Sequence, residues 1–152
     1  MKFFTQLSAG KKLLITLGVF LSAGAVIYWY VSTQTFADTN ERKAAFTVNA
    51  GTFIKEFDTN DTAANLKYTD QIVTVTGRVS AVEAADTTVN IKFIDSTSGS
   101  YAIFAFQQQH LGEAKGLKAG DSVEIKGSCS GGIFSSILGY HSISFKRCAL
   151  NK

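Results

Sequence analysis

The sequence of 152 residues contains no proline, two cysteines and two histidines, and each scarcity excludes a class of structure or site. Without proline the chain has no Pro-rich recognition tract. Cys129, Cys148, His110 and His141 are its candidate soft metal ligands, but they form no C-x-x-C or H-x-x-x-H pair of the kind found in structural zinc sites. We therefore predict no metal site and interpret both histidines as surface residues.

Catalytic signatures are missing as well. Residues 127–131 (GSCSG) match a nucleophile elbow with cysteine in place of serine, but that motif needs a strand, a sharp turn and a helix within a large α/β sheet. No such pattern surrounds it, and no glycine-rich phosphate loop precedes a helix. We expect no catalytic residue, no cofactor and no enzymatic activity, with an enzyme of unrecognised type as an alternative.

Charged side chains are absent from the 25 residues Leu13 to Ala37. A helix needs about 20 apolar residues to cross a bilayer core, and residues 13–31 supply that length. We therefore predict a transmembrane helix over residues 13–31. A cleaved signal peptide is the alternative because residues 35–37 fit a cleavage site, although signal peptides usually contain only about 7–15 apolar residues.

The two ends of this span match the two membrane interfaces. Lysines precede it, and aromatic rings of the kind that favour the headgroup layer end it: Lys11 and Lys12, then Tyr28, Trp29 and Tyr30. Because positive charge favours the cytoplasmic side, we predict a cytoplasmic segment 1–12 and a C-terminal domain outside the cytoplasm. The lipid bilayer is thus one predicted partner.

The remainder of the chain is electrically neutral. The net charge of +3 comes from lysines before the span, whereas residues 38–152 carry 12 basic and 12 acidic side chains. Proteins that bind nucleic acid through its phosphates usually show a clustered basic surface. The balance therefore disfavours nucleic acid as a partner.

The hydrophobic pattern predicts a linker at residues 32–45 and then one small domain, 46–152. Apolar residues recur with a 3.6-residue period over residues 46–57, which predicts a helix, and a shorter helix should follow at 62–68, packed through Ala63 and Leu66.

From Ile72 onward the hydrophobic period is two. This pattern predicts five strands, at residues 72–83, 87–95, 101–106, 122–129 and 141–150. The first strand is long and contains Gly77, where a bulge or bend would let it serve both sides of a small barrel. The predicted fold is mainly β: a five-stranded OB-fold Greek-key barrel preceded by a short helical segment.

Three segments resemble a known family. AANLKYTDQIVTVTGRVSAVE, GLKAGDSVEIKGSCSG and FKRCAL (residues 63–83, 116–131 and 145–150) are similar to the tRNA_anti-like OB-fold family of bacterial membrane proteins and lipoproteins. The resemblance covers about residues 46–150. It implies the barrel and a bacterial envelope location, here the inner membrane with the domain on its periplasmic or extracellular side, but no established activity.

The two cysteines could form a disulfide. If Cys129 and Cys148 face each other in an antiparallel pair, the hairpin centre falls between Leu138 and Gly139, and a bulge near residues 146–147 is needed to bring Cys148 into phase. An exported domain with two thiols favours a bridge, which we predict. The alternative is two reduced, buried cysteines acting as small hydrophobic residues.

The predicted third strand, residues 101–106, has no polar face. Packing of the helix at 46–57 across it as core is the favoured explanation. The other explanation is a ligand or partner surface, because OB folds bind on their second and third strands. That surface would contain Lys92, Tyr101, Phe104 and Phe106.

These observations predict a membrane-anchored OB-fold binding or assembly module of the bacterial envelope, with an envelope protein as its partner. A single-stranded nucleic-acid-binding OB domain is the first alternative, in which the aromatic side chains would stack on bases.

Overall fold

The computed structural model describes residues 9–33 and 38–151, which belong to two compact units, 1–36 and 37–152. The first unit contains helix α1, Ala9–Ser32. Its stretch Leu13–Ser32 has a mean hydropathy of 1.9 and is long and apolar enough to cross a membrane by length and composition. The span predicted at 13–31 lies within α1, whereas most of the predicted segment 1–12 lies outside the described residues.

The second unit is a sheet with helices against it. Its described elements, in chain order, are β1 (Phe46–Asn49), α2 (Ala50–Thr59), α3 (Asp61–Tyr68), β2 (Ile72–Arg78), β3 (Ala81–Ala84), β4 (Val89–Ile94), β5 (Tyr101–Phe106), α4 (Leu111–Lys115), β6 (Ser122–Ser135) and β7 (Tyr140–Leu150). Short 3₁₀ turns occupy Thr39–Glu41 and Gln108–His110.

The sheet has the order β1-β2-β6-β7-β5-β4-β3. Strands β2 and β3 are two parts of one bent strand, because the amide of Val79 donates to Asp121 beside β6 and the amide of Ser80 donates to Lys92 on β4. The chain therefore changes pairing partner between these two residues. This change closes the sheet into an OB-like barrel, with β5 and β7 as a parallel pair.

The described sheet has seven strands rather than the predicted five. One addition comes from the bend, which divides the predicted first strand two residues after Gly77. Gly77 has a packing role instead: a Cβ there would lie 2.7 Å from the Ala50 Cβ and 2.9 Å from the Phe93 ring. Only glycine allows α2 and Phe93 to approach the strand this closely.

The other additional strand, β1, replaces the start of the predicted helix. Phe46 pairs with Val73 in a parallel ladder, and the helix begins only at Ala50. The side chain of Asn49 accepts a hydrogen bond from the Gly51 amide at 2.9 Å, which caps the helix at that point.

Helix α3 forms where it was predicted but packs through other residues. Ala64 and Tyr68 are buried, whereas Ala63 is exposed and Leu66 is 85 % exposed. The Tyr68 ring fills the space beside Phe53, with ring centroids 4.9 Å apart. The larger ring therefore decides which helix face meets the core.

The predicted disulfide is not formed, because the register of the β6–β7 hairpin separates the cysteines. Cys129 lies opposite Phe145, while Cys148 lies beside Gly127, where a Cβ would be 2.6 Å from the Cys148 Sγ. The predicted bulge is present at Arg147, whose φ is 53°, and it turns Cys148 into the core.

Both cysteines are free and fully buried. Burial raises the pKa of Cys129 to about 11 and raises the pKa of Cys148 well above its usual value. Since the thiolate is the reactive form, both are expected to be unreactive at neutral pH.

Candidate binding face of the barrel

Alternation along β4 and β5 separates a buried face from an outer face. Phe104 and Phe106 point inward, and they are 0 % and 8 % exposed. The Phe104 ring stacks on Phe145 at 4.6 Å, and Phe145 lies 5.5 Å from Phe53 of α2. The favoured explanation for the apolar strand 101–106 is therefore the observed one, because α2 covers this side of the sheet as core. Neither phenylalanine can act as a stacking surface for a ligand.

The outer face carries the other two residues of the predicted surface, Lys92 and Tyr101. Strand pairing aligns the outward side chains in two rows. The first row crosses four strands and contains Ile94, Tyr101, Ser142 and Ile133, and the second contains Lys92, Ile103 and Ser144. We call the surface formed by Lys92, Ile94, Tyr101, Ile103, Tyr140 and Ser142 the tyrosine face.

The two tyrosines of this face contact each other. The rings of Tyr101 and Tyr140 are 5.9 Å apart in an edge-to-face arrangement. Tyr140 also lies against Gly99, where a Cβ would be 3.6 Å from its ring. Sequence reasoning missed Tyr140 because it placed the start of the last strand at His141; the alternation of that strand, continued by one residue, was the available signal.

The cation of the tyrosine face is neutralised. The Nζ of Lys92 lies 2.5 Å from the Oε1 of Glu83 on β3 and 5.2 Å from the Tyr101 ring centre. The hydrogen bond to Glu83 raises the pKa of Lys92. The face is therefore aromatic and aliphatic with a paired charge at its side, rather than positively charged.

An exposed apolar tip adjoins this face at the end of the β6–β7 hairpin. Ile133 is 76 % exposed and Ile137 93 %, with Phe134 and Leu138 also exposed; we call these four residues the apolar tip. Sequence reasoning missed it, although residues 127–145 contain no Asp, Glu, Lys or Arg. That uncharged run, around a turn, was the available signal.

His141 belongs to a buried network rather than to the surface. Its Nδ1 lies 2.9 Å from the Asp58 Oδ1, to which the Ser100 hydroxyl also donates at 2.6 Å. The backbone amide of His141 in turn donates to the Ser100 Oγ at 2.9 Å. Because the serine donates to the carboxylate and not to the imidazole, this arrangement is not a catalytic triad.

The network also controls the charge of Asp58. Burial would raise the pKa of Asp58, but hydrogen bonds from Ser100, Ser98 and His141 outweigh it and hold that pKa below its usual value. The carboxylate thus joins the end of α2 to the β4–β5 loop and to β7. Its role is structural.

His110 fastens the chain that precedes the barrel. Its Nε2 lies 2.9 and 3.0 Å from the two carboxylate oxygens of Asp38. Nearby, the Nζ of Lys126 donates to the Asn40 carbonyl at 3.2 Å. The pKa of Asp38 is lowered, mainly by the hydrogen bond from the Asn40 amide and next by the hydrogen bond with His110. Thr39 is 2 % exposed. Residues 38–41 of the predicted linker are therefore packed against the barrel.

The prediction that both histidines are surface residues is wrong. The side chains of His110 and His141 are only 12 % and 10 % exposed. Within residues 9–33 and 38–151, no group of three or more His, Cys, Asp and Glu side chains is arranged to hold a metal ion.

Comparison with known proteins adds the following. The sequence profile of the tRNA_anti-like family matches residues 2–138. A lipoprotein of Klebsiella pneumoniae subsp. pneumoniae MGH 78578, described as nucleic acid-binding, has a TM-score of 0.54 at 15 % identity, covering 78 % of this chain and 100 % of that chain. A protein of Leishmania major Friedlin described as an aspartyl-tRNA synthetase has a TM-score of 0.45 at 10 % identity, covering 83 % and 25 %. Curated proteins give no match.

Proposed function

The chain belongs to the tRNA_anti-like family, and from this membership we propose that it is a membrane-anchored OB-fold binding module of the bacterial envelope. Its partner is an envelope protein, bound on the tyrosine face. The single observation that carries the proposal is the chemistry of that face: Tyr101 and the exposed Ile94 lie on the strands that OB folds use for binding, and Tyr140 of the neighbouring β7 contacts Tyr101.

The charge pattern of the tyrosine face supports a protein partner. Cores of protein interfaces are depleted of charge and enriched in tyrosine, which provides large contact area with few torsions to restrict. Lys92 lies beside Tyr101, but Glu83 neutralises it. A protein can therefore cover the face without leaving a buried, unpaired charge.

The membrane anchor is helix α1, with the N-terminus cytoplasmic and the barrel periplasmic or extracellular. The apolar stretch Leu13–Ser32 supports an anchor by its length, and Tyr28, Trp29 and Tyr30 lie in its last turns, where an aromatic interface belongs. If the anchor is retained, the full-length protein stays with membranes after carbonate extraction. A soluble form beginning near Asp38 would instead indicate a cleaved signal peptide.

Nucleic acid binding is the second candidate function. The aromatic rings on the OB strands favour it, since stacking of a base on such a ring contributes about 1–3 kcal/mol. The relative from Klebsiella is also described as nucleic acid-binding. The 12 basic and 12 acidic side chains of residues 38–152 weigh against it, because little counterion release would drive binding.

Site-specific photo-crosslinking tests the protein partner. A photoreactive phenylalanine replaces Tyr101 in the full-length protein in its native membrane, and the same residue at Leu66, exposed on α3, is the control. We expect a protein adduct from position 101 and none from position 66. An adduct that nuclease removes would support the nucleic-acid function, and equal adducts at both positions would contradict a specific face.

A further inference from the structure

The apolar tip leaves large aliphatic side chains in water without a partner in the described structure. Ile137 is 93 % exposed and Ile133 76 %, while Leu138 is 60 % exposed. Moving side chains of this kind from water into an apolar medium is favourable. The tip lies at the end of a hairpin, where its exposed side chains can enter a soft medium such as a bilayer surface.

The tip carries no formal charge that would oppose insertion. The nearest basic side chain along the hairpin is His141, which is paired with Asp58 and whose side chain is only 10 % exposed. Interfaces between proteins concentrate their binding energy in Trp, Tyr and Arg, and leucine is under-represented there. Leucine and phenylalanine, both present in the tip, are instead typical of the apolar face of segments that enter the surface of a bilayer.

Two backbone amides of the turn are satisfied internally. The Gly139 amide donates to the Ser135 carbonyl at 2.7 Å, and the Leu138 amide donates to the Ser135 Oγ at 3.3 Å. In a medium with little water an unsatisfied amide costs several kcal/mol, so this arrangement lowers the cost of insertion.

The base of the hairpin is held rigidly. The Asn65 side chain of α3 accepts from the Gly132 amide at 2.8 Å and donates to the Gly132 carbonyl at 3.0 Å. Phe57 packs so closely that a Cβ on Gly132 would lie 2.6 Å from its ring. The tip is therefore presented in a fixed position, and little conformational entropy is lost when it binds.

We propose that the apolar tip inserts into the surface of a lipid bilayer, to the boundary between headgroups and acyl chains about 5–10 Å deep. The proposal rests on the membrane anchor of the proposed function, which brings the chain to a bilayer. Because the tip has no lysine or arginine, its insertion requires no anionic lipid and is insensitive to salt.

Fluorescence of a label on the tip tests the insertion. The full-length protein with Ile137→Cys is placed in nanodiscs of phosphatidylcholine and labelled with an environment-sensitive dye; Cys129 and Cys148 are buried and stay unlabelled. The matched control is Leu66→Cys, equally exposed on α3. We expect a blue shift and quenching by nitroxide lipids at position 137, strongest for a nitroxide near the headgroups, and neither effect at position 66.

Each other outcome overturns the insertion. If the dye at position 137 shows neither a blue shift of its emission nor quenching, with or without anionic lipid, insertion of the tip is excluded. The same result together with crosslinking of position 137 to a protein in native membranes assigns the tip to a protein partner. If the protein fails to remain in the nanodisc, the membrane anchor is refuted. The labelled protein is then mixed with phosphatidylcholine vesicles that contain nitroxide lipids. Quenching of the label would still support insertion of the tip, and no quenching would refute it.

Discussion

Neither face of strand β5 is charged, yet its inner face is buried and its outer face is only partly buried. Phe104 is fully buried and stacks on Phe145, whereas Tyr101, three positions earlier, lies on the outer face beside Lys92. The inner face is covered by α2 and holds the fold together. The outer face has no such cover in the described structure, and it carries the two tyrosines of the proposed partner surface. The comparison teaches that burial, not apolarity, separates the residues that stabilise the fold from those proposed to bind a partner.

Removing an inner ring should have the largest effect on stability. We expect Phe104→Ala to lower the free energy of unfolding by about 3–5 kcal/mol, since it leaves a cavity between Phe93 and Phe145. Denaturant unfolding measures this loss. A loss as small as that of an outer-face variant would mean that the inner face is not the core.

A methyl group added to the inner face of the hairpin should have a smaller effect. Gly127→Ala places a Cβ 2.6 Å from the Cys148 Sγ, and overpacking of this kind costs about 1–3 kcal/mol. Adding Cys148→Ala should restore part of the stability. Gly112→Ala is the control, because a Cβ there meets nothing within 4 Å. Equal stability of the variants at positions 127 and 112 would contradict the close packing.

Acid should weaken the network between α2 and β7. The pKa of Asp58 is lowered on folding, so its contribution is present above the unfolded pKa of about 3.9 and is lost as pH falls through the lower folded value. Asp58→Asn should therefore reduce the fall in unfolding free energy between about pH 5 and pH 2. Asp86→Asn, at an exposed turn, is the matched control, and an equal reduction in both variants would contradict the role of the network.

Outer-face variants should affect stability least and binding most. Lys92→Ala removes an ion pair that is partly exposed and worth at most about 1 kcal/mol. Tyr101→Ala removes one ring contact, of a kind worth about 0.5–1.5 kcal/mol. The melting temperature should thus fall by only a few degrees. Recovery of the partner crosslinked by a probe at position 140 should fall much more. Unchanged recovery with Tyr101→Ala would place the partner elsewhere.

Much of this arrangement follows from the sequence. The change to a two-residue period at Ile72 predicts the barrel, and the long first strand predicts its bend. The strand at 46–49 could not be predicted, because Phe46 precedes Ala50 by four residues and so fits the helical period of the following segment as well as it fits a strand. Pairing with Val73, a contact distant in sequence, decides between the two.

The errors at the site have a similar cause. Alternation separates Tyr101 from Phe104 without indicating which side faces the core, and the position of α2 supplies that answer. Likewise, the sequence spacing of the cysteines allows a pair, but two bulges, at Gly131 and Arg147, shift the hairpin register. Bulges depend on contacts between strands, which no local pattern contains.

The central proposal is that the tyrosine face recognises its partner through apolar contact rather than charge. The most direct test is a titration of the full-length protein with fluorescently labelled single-stranded DNA and RNA. Non-specific affinities even of basic proteins are about 10⁻⁴–10⁻⁶ M at physiological salt, so a neutral domain should show no saturable binding in the micromolar range. The account predicts a flat anisotropy signal for both the unmodified protein and Tyr101→Ala. Sub-micromolar binding that falls steeply with salt and is lost in Tyr101→Ala would contradict it and assign the face to nucleic acid.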